Sequence, residues 1–452
     1  MMHLSEAAAA LDAERSGEDV TFTSVSTDSR TLKPGALFVA LRGTRFDGHA
    51  FLEAARQAGA VAAMVDEKFP ASRAPLPLVR VPDTRLGLGR LAAYWRRRYD
   101  IPLVAVTGSN GKTTVKEMIA AILRTHCGET AAVLATEGNL NNDIGVPLML
   151  LRLSPVHRYA VIEMGMNHFG EIDYLSRLAA PTVALVNNAH AAHLVGLGSV
   201  EGVARAKGEI YGGLAAQGVA VINADDAFAP YWRTVVGQRP RIEFGLEQPA
   251  AISGRFEVTA EGTLLTLSLP TGQVTTRLVA MGVHNVRNAL AAAAAATALG
   301  IPPETIAAGL ARFTPVGGRL KPKRAILGAT LIDDTYNANP DSMRAAIDVL
   351  AALPGRRILV LGDMGELGEE AWRLHGEVGA YARDKGIDVL FCLGENARNM
   401  AAQFGRHGRH FERIEELLAD LENLLGPEVT VLVKGSRFME MERVVKSFEV
   451  KE

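Results

Sequence analysis

The stretch Leu103–Leu123 reads LVAVTGSNGKTTVKEMIAAIL. A short apolar run leads into a loop with two glycines, and a helical pattern follows the lysine and the two threonines. Glycines let main-chain N–H groups turn toward an anion, and a helix that starts after the loop adds the positive end of its dipole. This order of strand, loop and helix predicts a phosphate-binding site at the carboxyl edge of a parallel sheet.

The loop is a variant of the usual phosphate-binding pattern, which has four residues between its first glycine and Gly-Lys-Ser/Thr. Val106 stands at that first position and the glycine comes at Gly108, which gives TGxxGKTT. We expect Lys112 to reach the β- and γ-phosphates of a nucleotide and Thr113 to hold magnesium through its hydroxyl. The alternative is a glycine turn that merely precedes a helix. The residues predicted to contact the nucleotide here are Gly108, Asn110, Gly111, Lys112, Thr113 and Thr114.

Composition narrows the class of protein. A chain of 452 residues, 48% of them hydrophobic, suggests two to four domains at about 100–200 residues each. The net charge of −2 gives no bulk attraction to nucleic acid or to a membrane surface.

Cys127 and Cys392 are far apart in the sequence, which argues against a disulfide framework and a zinc site. The first residues carry acidic side chains and no basic segment, so we expect no signal peptide and a soluble cytoplasmic protein without stable membrane insertion.

Apolar runs alternate with helical patterns along the whole chain, which predicts the α/β class. We expect three domains: a small α/β domain over residues 1–98, a central domain with the phosphate loop on a parallel sheet over 99–316, and a Rossmann-like domain over 317–452. The run from Phe244 to Leu278 alternates more like antiparallel strands, with a turn at Glu261–Gly262.

Other polar residues are candidates for the same site. Glu163 ends the buried strand YAVIE, where a carboxylate beside a phosphate loop can hold magnesium or can simply be solvated. From spacing alone, His193 is a loop histidine and Lys207 a surface lysine. The amides of Asn285 and Asn288 suit either an adenine edge or a helix cap.

Together these stretches resemble the Mur ligase family, the ATP-dependent amide-forming enzymes of peptidoglycan synthesis. The resemblance covers essentially the whole chain: STDSRTLKPGALFVALRGTRFDGHAF resembles a UDP-binding first domain, and TGSNGKTT, EMG, HL, AKGEI, DDTYNANPDS, LGDMGELG and KGSR follow in the family's order. TEGNLNNDIGVPLMLL, EMGMNHFGEI and VKGSRFMEMERVV are most similar to the branch that adds a dipeptide. The Asp-Asn-Pro-Arg signature of the branch that adds the third residue is absent from the sequence.

The resemblance implies a metal site with two magnesium ions, held by Thr113, Glu163, His193 and Lys207. Lys207 matches the lysine that family members carbamylate. That reaction needs a neutral amine, whereas the usual lysine pKa is ~10.4. The carbamate then presents anionic oxygens, which suit magnesium far better than an ammonium does. His193 matches the histidine of the second magnesium ion.

The resemblance also implies ligands for the rest of the nucleotide and for the substrate. Adenine, phosphate and ribose contacts fall on Asn288, Arg319 and Asp334 respectively. Contacts with UDP-muramoyl fall on Ser29, Arg30, Asn139 and Asn142.

The implied reaction joins D-alanyl-D-alanine to UDP-N-acetylmuramoyl-tripeptide through an acyl phosphate, at the expense of ATP, in a monomeric enzyme. Lys112, Glu163, His193 and Lys207 would carry the catalysis. One rival is folylpolyglutamate synthase, which shares the ATPase core but not the first domain or KGSR. A guanine-nucleotide switch would need an Asn-Lys-x-Asp motif, which VNNAH does not supply. An inactive binding protein of the same fold is the third alternative.

Overall fold

The computed structural model describes residues 1–44, 46–259 and 262–450. Three α/β units follow one another along the chain, each with its own main sheet. The predicted α/β class is therefore confirmed, and the domain limits at residues 98 and 316 stay predictions.

The first unit has a five-stranded sheet in which one edge strand runs antiparallel to the other four. Its strands, in spatial order, are Glu14–Ser16, Leu78–Val81, Ala62–Asp66, Ala36–Val39 and Ser24–Ser26. Met2–His3 and Thr21–Phe22 form a separate antiparallel pair. The helices are Leu4–Leu11, Leu52–Gln57 and Thr84–Arg96.

The central unit is built on a six-stranded sheet whose strands are all parallel. In spatial order they are Arg241–Phe244, Val219–Asn223, Val183–Val186, Leu103–Thr107, Tyr159–Glu163 and Val133–Ala135. Every residue of Leu103–Thr107 is buried, because this strand lies inside the sheet with helices on its faces. Since all strands share one direction, their polar ends meet at a single edge of the sheet.

Two long helices pack against this sheet on the same side. Lys112–Cys127 follows the phosphate loop, and Val283–Ala298 shares its buried apolar cluster. The second helix is rich in alanine, whose small side chain lets neighbouring backbones approach closely. The other helices of this unit are Gly145–Leu150, Glu171–Ala179, Leu194–Leu197, Val200–Gly208, Ala229–Val236 and Pro303–Ala311.

The predicted antiparallel segment is confirmed as three strands, Ser253–Thr259, Gly262–Leu269 and Gly272–Leu278. It begins later than expected, because Phe244 ends a strand of the parallel sheet. Of the predicted turn, Glu261 lies outside the described residues.

The third unit has a second six-stranded sheet, parallel except for its first edge strand. The strands in spatial order are Lys321–Arg324, Thr330–Asp334, Val429–Lys434, Arg356–Gly362, Val389–Leu393 and Gly408–Phe411. The helices are Pro340–Ala351, Ala371–Asp384, Ala397–Phe404, Ile414–Glu422 and Glu442–Phe448. No helix among the described residues has the length and apolar character needed to cross a membrane.

A buried arginine contributes to the link between the first two units. The helix Thr84–Arg96 begins at Asp83, whose carboxylate accepts from two backbone N–H groups. At the other end, the guanidinium of Arg96 donates to the carbonyls of Ala179 and Ile101, at 3.0 and 3.1 Å. This side chain therefore ties the end of the helix to the central unit.

Candidate functional site

The phosphate loop needs glycine at its last position. Gly111 has φ 76°, in the left-handed region, and it precedes the helix that starts at Lys112. A Cβ at Gly111 would lie 2.4 Å from Oδ1 of Asn288 and 2.7 Å from Nδ2 of Asn187. No larger residue fits there without displacing these two amides.

Asparagine side chains from other elements bind the phosphate loop and one another. Asn187 donates to the carbonyl of Asn110 and to Oδ1 of Asn288, both at 2.9 Å. Asn288 donates to Oδ1 of Asn285 at 3.0 Å. The cap position of their helix is Gly282, so the interpretation of Asn285 or Asn288 as a helix cap is wrong. The adenine contact of Asn288 stays a prediction.

The loop lysine is folded back on its own loop. Lys112 Nζ donates to the carbonyl of Gly108 at 2.7 Å and lies 3.4 Å from that of Ser109. Burial lowers the pKa of Lys112, while Glu163 opposes that shift and Arg319 adds to it. The side chain is half-buried, and an anion would be a better partner for its ammonium than carbonyl groups.

Next to it, Thr113 and Glu163 form a buried pair. Thr113 Oγ1 donates to Glu163 Oε2 at 2.7 Å, and Asn141 Nδ2 donates to Oε1 at 2.8 Å. From the third unit, Arg319 Nη2 donates to Thr113 Oγ1 at 2.8 Å, and its guanidinium stacks 4.3 Å from the centre of the Tyr336 ring. The hydroxyl oxygen of Thr113 and the carboxylate oxygens of Glu163 thus lie together directly after the phosphate loop. Magnesium prefers oxygen ligands of this type.

Lys207 is not the surface lysine that its spacing indicates, because it is only 1% exposed. Burial, with the nearby charge of Lys112, lowers the pKa of Lys207 well below its ordinary value. Its side chain makes no hydrogen bond or ion pair with another described residue. Lys116, also 1% exposed, is different, since it donates to the carbonyl of Thr136 at 2.8 Å and pairs with Glu117.

His193 contacts the third unit. Its Nδ1 lies 2.5 Å from Glu366 Oε2, an ion-pair distance without the alignment of a hydrogen bond. This contact lowers the pKa of Glu366. Within the described part of the chain, no hydrogen bond joins His193 to the Thr113–Glu163 pair. Nor does a group of three or more His, Cys, Asp or Glu side chains form a metal site there.

The third unit lies directly against the phosphate loop. Asn339 Nδ2 donates to Asn110 Oδ1 at 2.7 Å, and Asn110 donates back at 3.3 Å. His190 Nδ1 lies 3.5 Å from Asp341 Oδ2. Asn339 also caps the helix that begins at Pro340, so the loop contact is made by a fixed side chain.

Asp334 is placed in the same region but is already paired. Lys434 Nζ lies 2.7 Å from its carboxylate, and the backbone N–H of Leu320 donates to it at 3.1 Å. Burial raises the pKa of Asp334 although Lys434 opposes the shift. Its predicted contact with ribose would have to share this carboxylate with Lys434.

None of the four residues predicted for UDP-muramoyl has a described hydrogen bond to the phosphate loop. Ser29 is half-buried, and the exposed Arg30 forms a fork with Asp28 at 2.7 and 2.9 Å. Asn139 is exposed, and Asn142 accepts from the first N–H groups of the following helix.

Several site residues were not predicted. Asn187 directly follows the strand Val183–Val186, so the rule that strand ends meet at one edge could have identified it. Asn141 lies among the asparagines of GNLNND, one residue from the predicted Asn142. Asn339 and Glu366 act across the boundary between units, which no local pattern reports.

Comparison with known proteins gives consistent matches along the chain. The Mur ligase middle domain matches residues 106–296, the Mur ligase glutamate ligase domain matches 318–437, and the Mur ligase family catalytic domain matches 21–96. The Escherichia coli (strain K12) protein named UDP-N-acetylmuramoyl-tripeptide–D-alanyl-D-alanine ligase is 46% identical, over 99% of this chain and 98% of its own.

Solved structures show the same relationship. MurF from Acinetobacter baumannii superposes with a TM-score of 0.91 at 37% identity, over 98% of this chain and 97% of its own. MurF ligase from Thermotoga maritima, solved in complex with ADP, gives 0.82 at 27% identity, over 95% and 98%. With a matched family domain in each of its three units and relatives aligned from end to end, this chain belongs to the Mur ligase family.

Proposed function

We propose that this chain is an ATP-dependent ligase that joins D-alanyl-D-alanine to UDP-N-acetylmuramoyl-tripeptide, giving UDP-N-acetylmuramoyl-pentapeptide, ADP and phosphate for peptidoglycan. The observation that carries the proposal is the buried pair Thr113 and Glu163 beside the half-buried Lys112, in a chain aligned end to end with a ligase named for this reaction. The cytoplasmic location and the monomeric state expected from the sequence remain predictions.

ATP would lie across the carboxyl edge of the central sheet. The positive end of the helix that begins at Lys112 and the Lys112 side chain suit its phosphates, and Arg319 reaches the same point from the third unit. Asn288 and Asp334 are proposed for adenine and ribose. The remaining loop contacts are proposed for Gly108, Asn110, Gly111, Thr113 and Thr114.

The chemistry of the donors fits magnesium. Thr113 Oγ1 and both oxygens of Glu163 are hard oxygen ligands in a buried position beside the phosphate loop. We assign them to one ion, and His193 with carbamylated Lys207 to a second. Bound magnesium would supply positive charge beside the transferring phosphoryl group.

Carbamylation of Lys207 is supported by its environment. The neutral amine would form an N–C bond with carbon dioxide and release one proton. Burial and the charge of Lys112 both favour the neutral amine. No carboxylate among the described residues neutralises Lys207, so the site can accept the negative charge that carbamylation adds. Lys112 lies close enough to stabilise that charge.

In the proposed reaction, the terminal carboxylate of the tripeptide attacks the γ-phosphorus of ATP and ADP leaves. The acyl phosphate has a good leaving group, whereas a free carboxylate would have to expel oxide. The amine of D-alanyl-D-alanine then attacks the carbonyl carbon, and phosphate leaves as the amine loses a proton. Lys112 and Arg319 stabilise the charge on the phosphoryl oxygens, so this chain contributes mainly positioning and electrostatics.

The contacts between units support a closed reaction chamber. Asn339 and Arg319 of the third unit bind Asn110 and Thr113 of the central unit. The acyl phosphate would be hydrolysed by water that entered the site, so closure protects it.

The test is release of phosphate and the mass of the product. Purified protein is supplied with ATP, magnesium, D-alanyl-D-alanine and UDP-muramoyl-tripeptide carrying either meso-diaminopimelate or lysine. We expect phosphate release to need both the nucleotide-linked tripeptide and the dipeptide.

Two control reactions separate the rivals. Preference for UDP-muramoyl-dipeptide with diaminopimelate would assign the chain to another branch of the family. Turnover of folate with glutamate would support folylpolyglutamate synthase, and ATP binding without turnover of any pair would support an inactive binding protein.

A further inference from the structure

The loop Asp363–Leu367 of the third unit presents a carboxylate to a histidine of the central unit. Glu366 Oε2 lies 2.5 Å from His193 Nδ1. We propose that Glu366 is a positioning residue for His193, so that docking of the third unit raises the affinity of the site for a divalent cation. The proposal rests on the metal role given to His193 under the proposed function.

The contact favours one tautomer of the His193 imidazole ring. A carboxylate beside Nδ1 favours a proton on that nitrogen, which leaves the lone pair of the neutral ring on Nε2. Nδ1 is enclosed by protein and makes no hydrogen bond, and the Glu366 carboxylate is its described polar contact. Nε2 has no hydrogen bond to a described residue. His193 is therefore held with one nitrogen assigned to Glu366 and the other available to a cation.

Both residues of this contact have an unusual backbone conformation. His193 has φ 56° and Glu366 has φ 62°, and both are non-glycine residues in the left-handed region. Such conformations are unfavourable for L residues and persist where the surroundings impose them, often at functional sites. The two loops follow Val183–Val186 and Arg356–Gly362, so each lies at the carboxyl edge of its own sheet.

Glu366 differs from Asp341 and Glu370 because its carboxylate is not shared with a described arginine. Its side chain is 57% exposed and has no other described partner. Asp341, which faces His190 at 3.5 Å, is shared with Arg344, and Glu370 is paired with Arg373. Since Glu366 reaches His193 only when the third unit lies on the central unit, cation binding and docking favour each other by thermodynamic linkage.

Cation binding can be measured without turnover. Mn²⁺ is titrated into the full chain with ADP present, and free Mn²⁺ is followed by electron paramagnetic resonance. We expect Glu366→Ala to weaken the second Mn²⁺ site by about 10- to 100-fold, the usual effect of removing a carboxylate behind a metal-bound histidine. Glu369→Ala is the matched control, because Glu369 is an exposed carboxylate three residues away without a described partner, and it should bind Mn²⁺ like the unaltered chain.

A double variant tests whether Glu366 acts on cation binding through His193. In a His193→Ala background, Glu366→Ala should change Mn²⁺ affinity no further. Turnover of Glu366→Ala should recover at high magnesium, so that half-saturation shifts more than the maximal rate. Unchanged Mn²⁺ affinity in Glu366→Ala, together with a weakened site in His193→Ala, would overturn the inference and keep the metal role of His193. An unchanged site in His193→Ala would instead refute that metal role, and with it the inference.

Discussion

Replacement of Lys207 by methionine tests the proposed carbamate most directly. Methionine has similar length and no amine, so it fills the buried position without leaving a large cavity. If the carbamate places a cation at the phosphoryl group, loss of this electrostatic contribution should lower turnover by about 10²- to 10³-fold. The melting temperature should change little compared with that loss.

The buried environment sets how readily Lys207 can react. At its ordinary pKa of ~10.4, a lysine is neutral in only about one molecule in 2,500 at pH 7. Each unit by which the pKa falls raises the neutral fraction about tenfold. Burial and the charge of Lys112 both lower the pKa of Lys207, so its neutral amine is far more abundant than that of a surface lysine.

The assay is ¹³C NMR of the protein in ¹³C-labelled bicarbonate. A carbamate resonance should be present in the unaltered chain and absent from Lys207→Met. Lys116→Met is the matched control and should keep the resonance, because the equally buried Lys116 is already paired with Glu117 and Thr136. Lys207→Ala should lose activity and regain part of it with short carboxylic acids, whereas Lys207→Arg should not, since a guanidinium stays charged. Near-full turnover in Lys207→Met would refute the reasoning.

Lys112→Ala should abolish phosphate release while circular dichroism stays unchanged, because removal of a charge on the transferring group costs several kcal/mol; near-normal turnover would contradict the phosphate-loop assignment. His284 has its pKa lowered to about 4, first by burial and then by Lys434 and Arg287. The unfolded chain therefore takes up a proton near pH 6.5 that the folded chain refuses, so stability should fall by at most about 3 kcal/mol as pH drops from ~6.5 through about 4. His284→Gln should flatten this slope in urea unfolding, and an unchanged slope would exclude the group. Hinges are expected near residues 98–101 and 315–320, beside Pro102, Pro315, Gly317 and Gly318. Small-angle scattering should show a smaller radius of gyration with all substrates bound than without them, and an unchanged radius would count against closure.

The fold was predictable where local pattern and burial agree. The strand Leu103–Thr107, the glycine loop and the helix after Lys112 lie where the sequence placed them. The start of the antiparallel segment was not, because Phe244 continues an apolar alternation but pairs with the parallel sheet. Pairing partners depend on contacts distant in sequence, and the alternation of side chains does not identify them.

The site was predictable only in part, for a similar reason. Glu163 and Thr113 could be paired in advance because both end or follow adjacent parallel strands. The burial of Lys207 had no local signature, since AKGEI would equally suit an exposed helix. Asn339 reaches the phosphate loop and Glu366 reaches His193 from a separate unit, so their roles depend on how two units dock.

The polar groups of the site already form hydrogen bonds with one another. Lys112 is bound to loop carbonyls, Thr113 to Glu163 and Arg319, and Asn110 to Asn339. A nucleotide must therefore replace existing hydrogen bonds, and its net gain is the difference between charge-assisted bonds to phosphate and the bonds it displaces. That exchange favours phosphate at Lys112, where an anion replaces two neutral carbonyls. Under the proposed assignments, the same exchange at Thr113 would free the Arg319 guanidinium of the third unit to bind the phosphate. Nucleotide binding and the docking of the two units would then be coupled through one shared hydroxyl group.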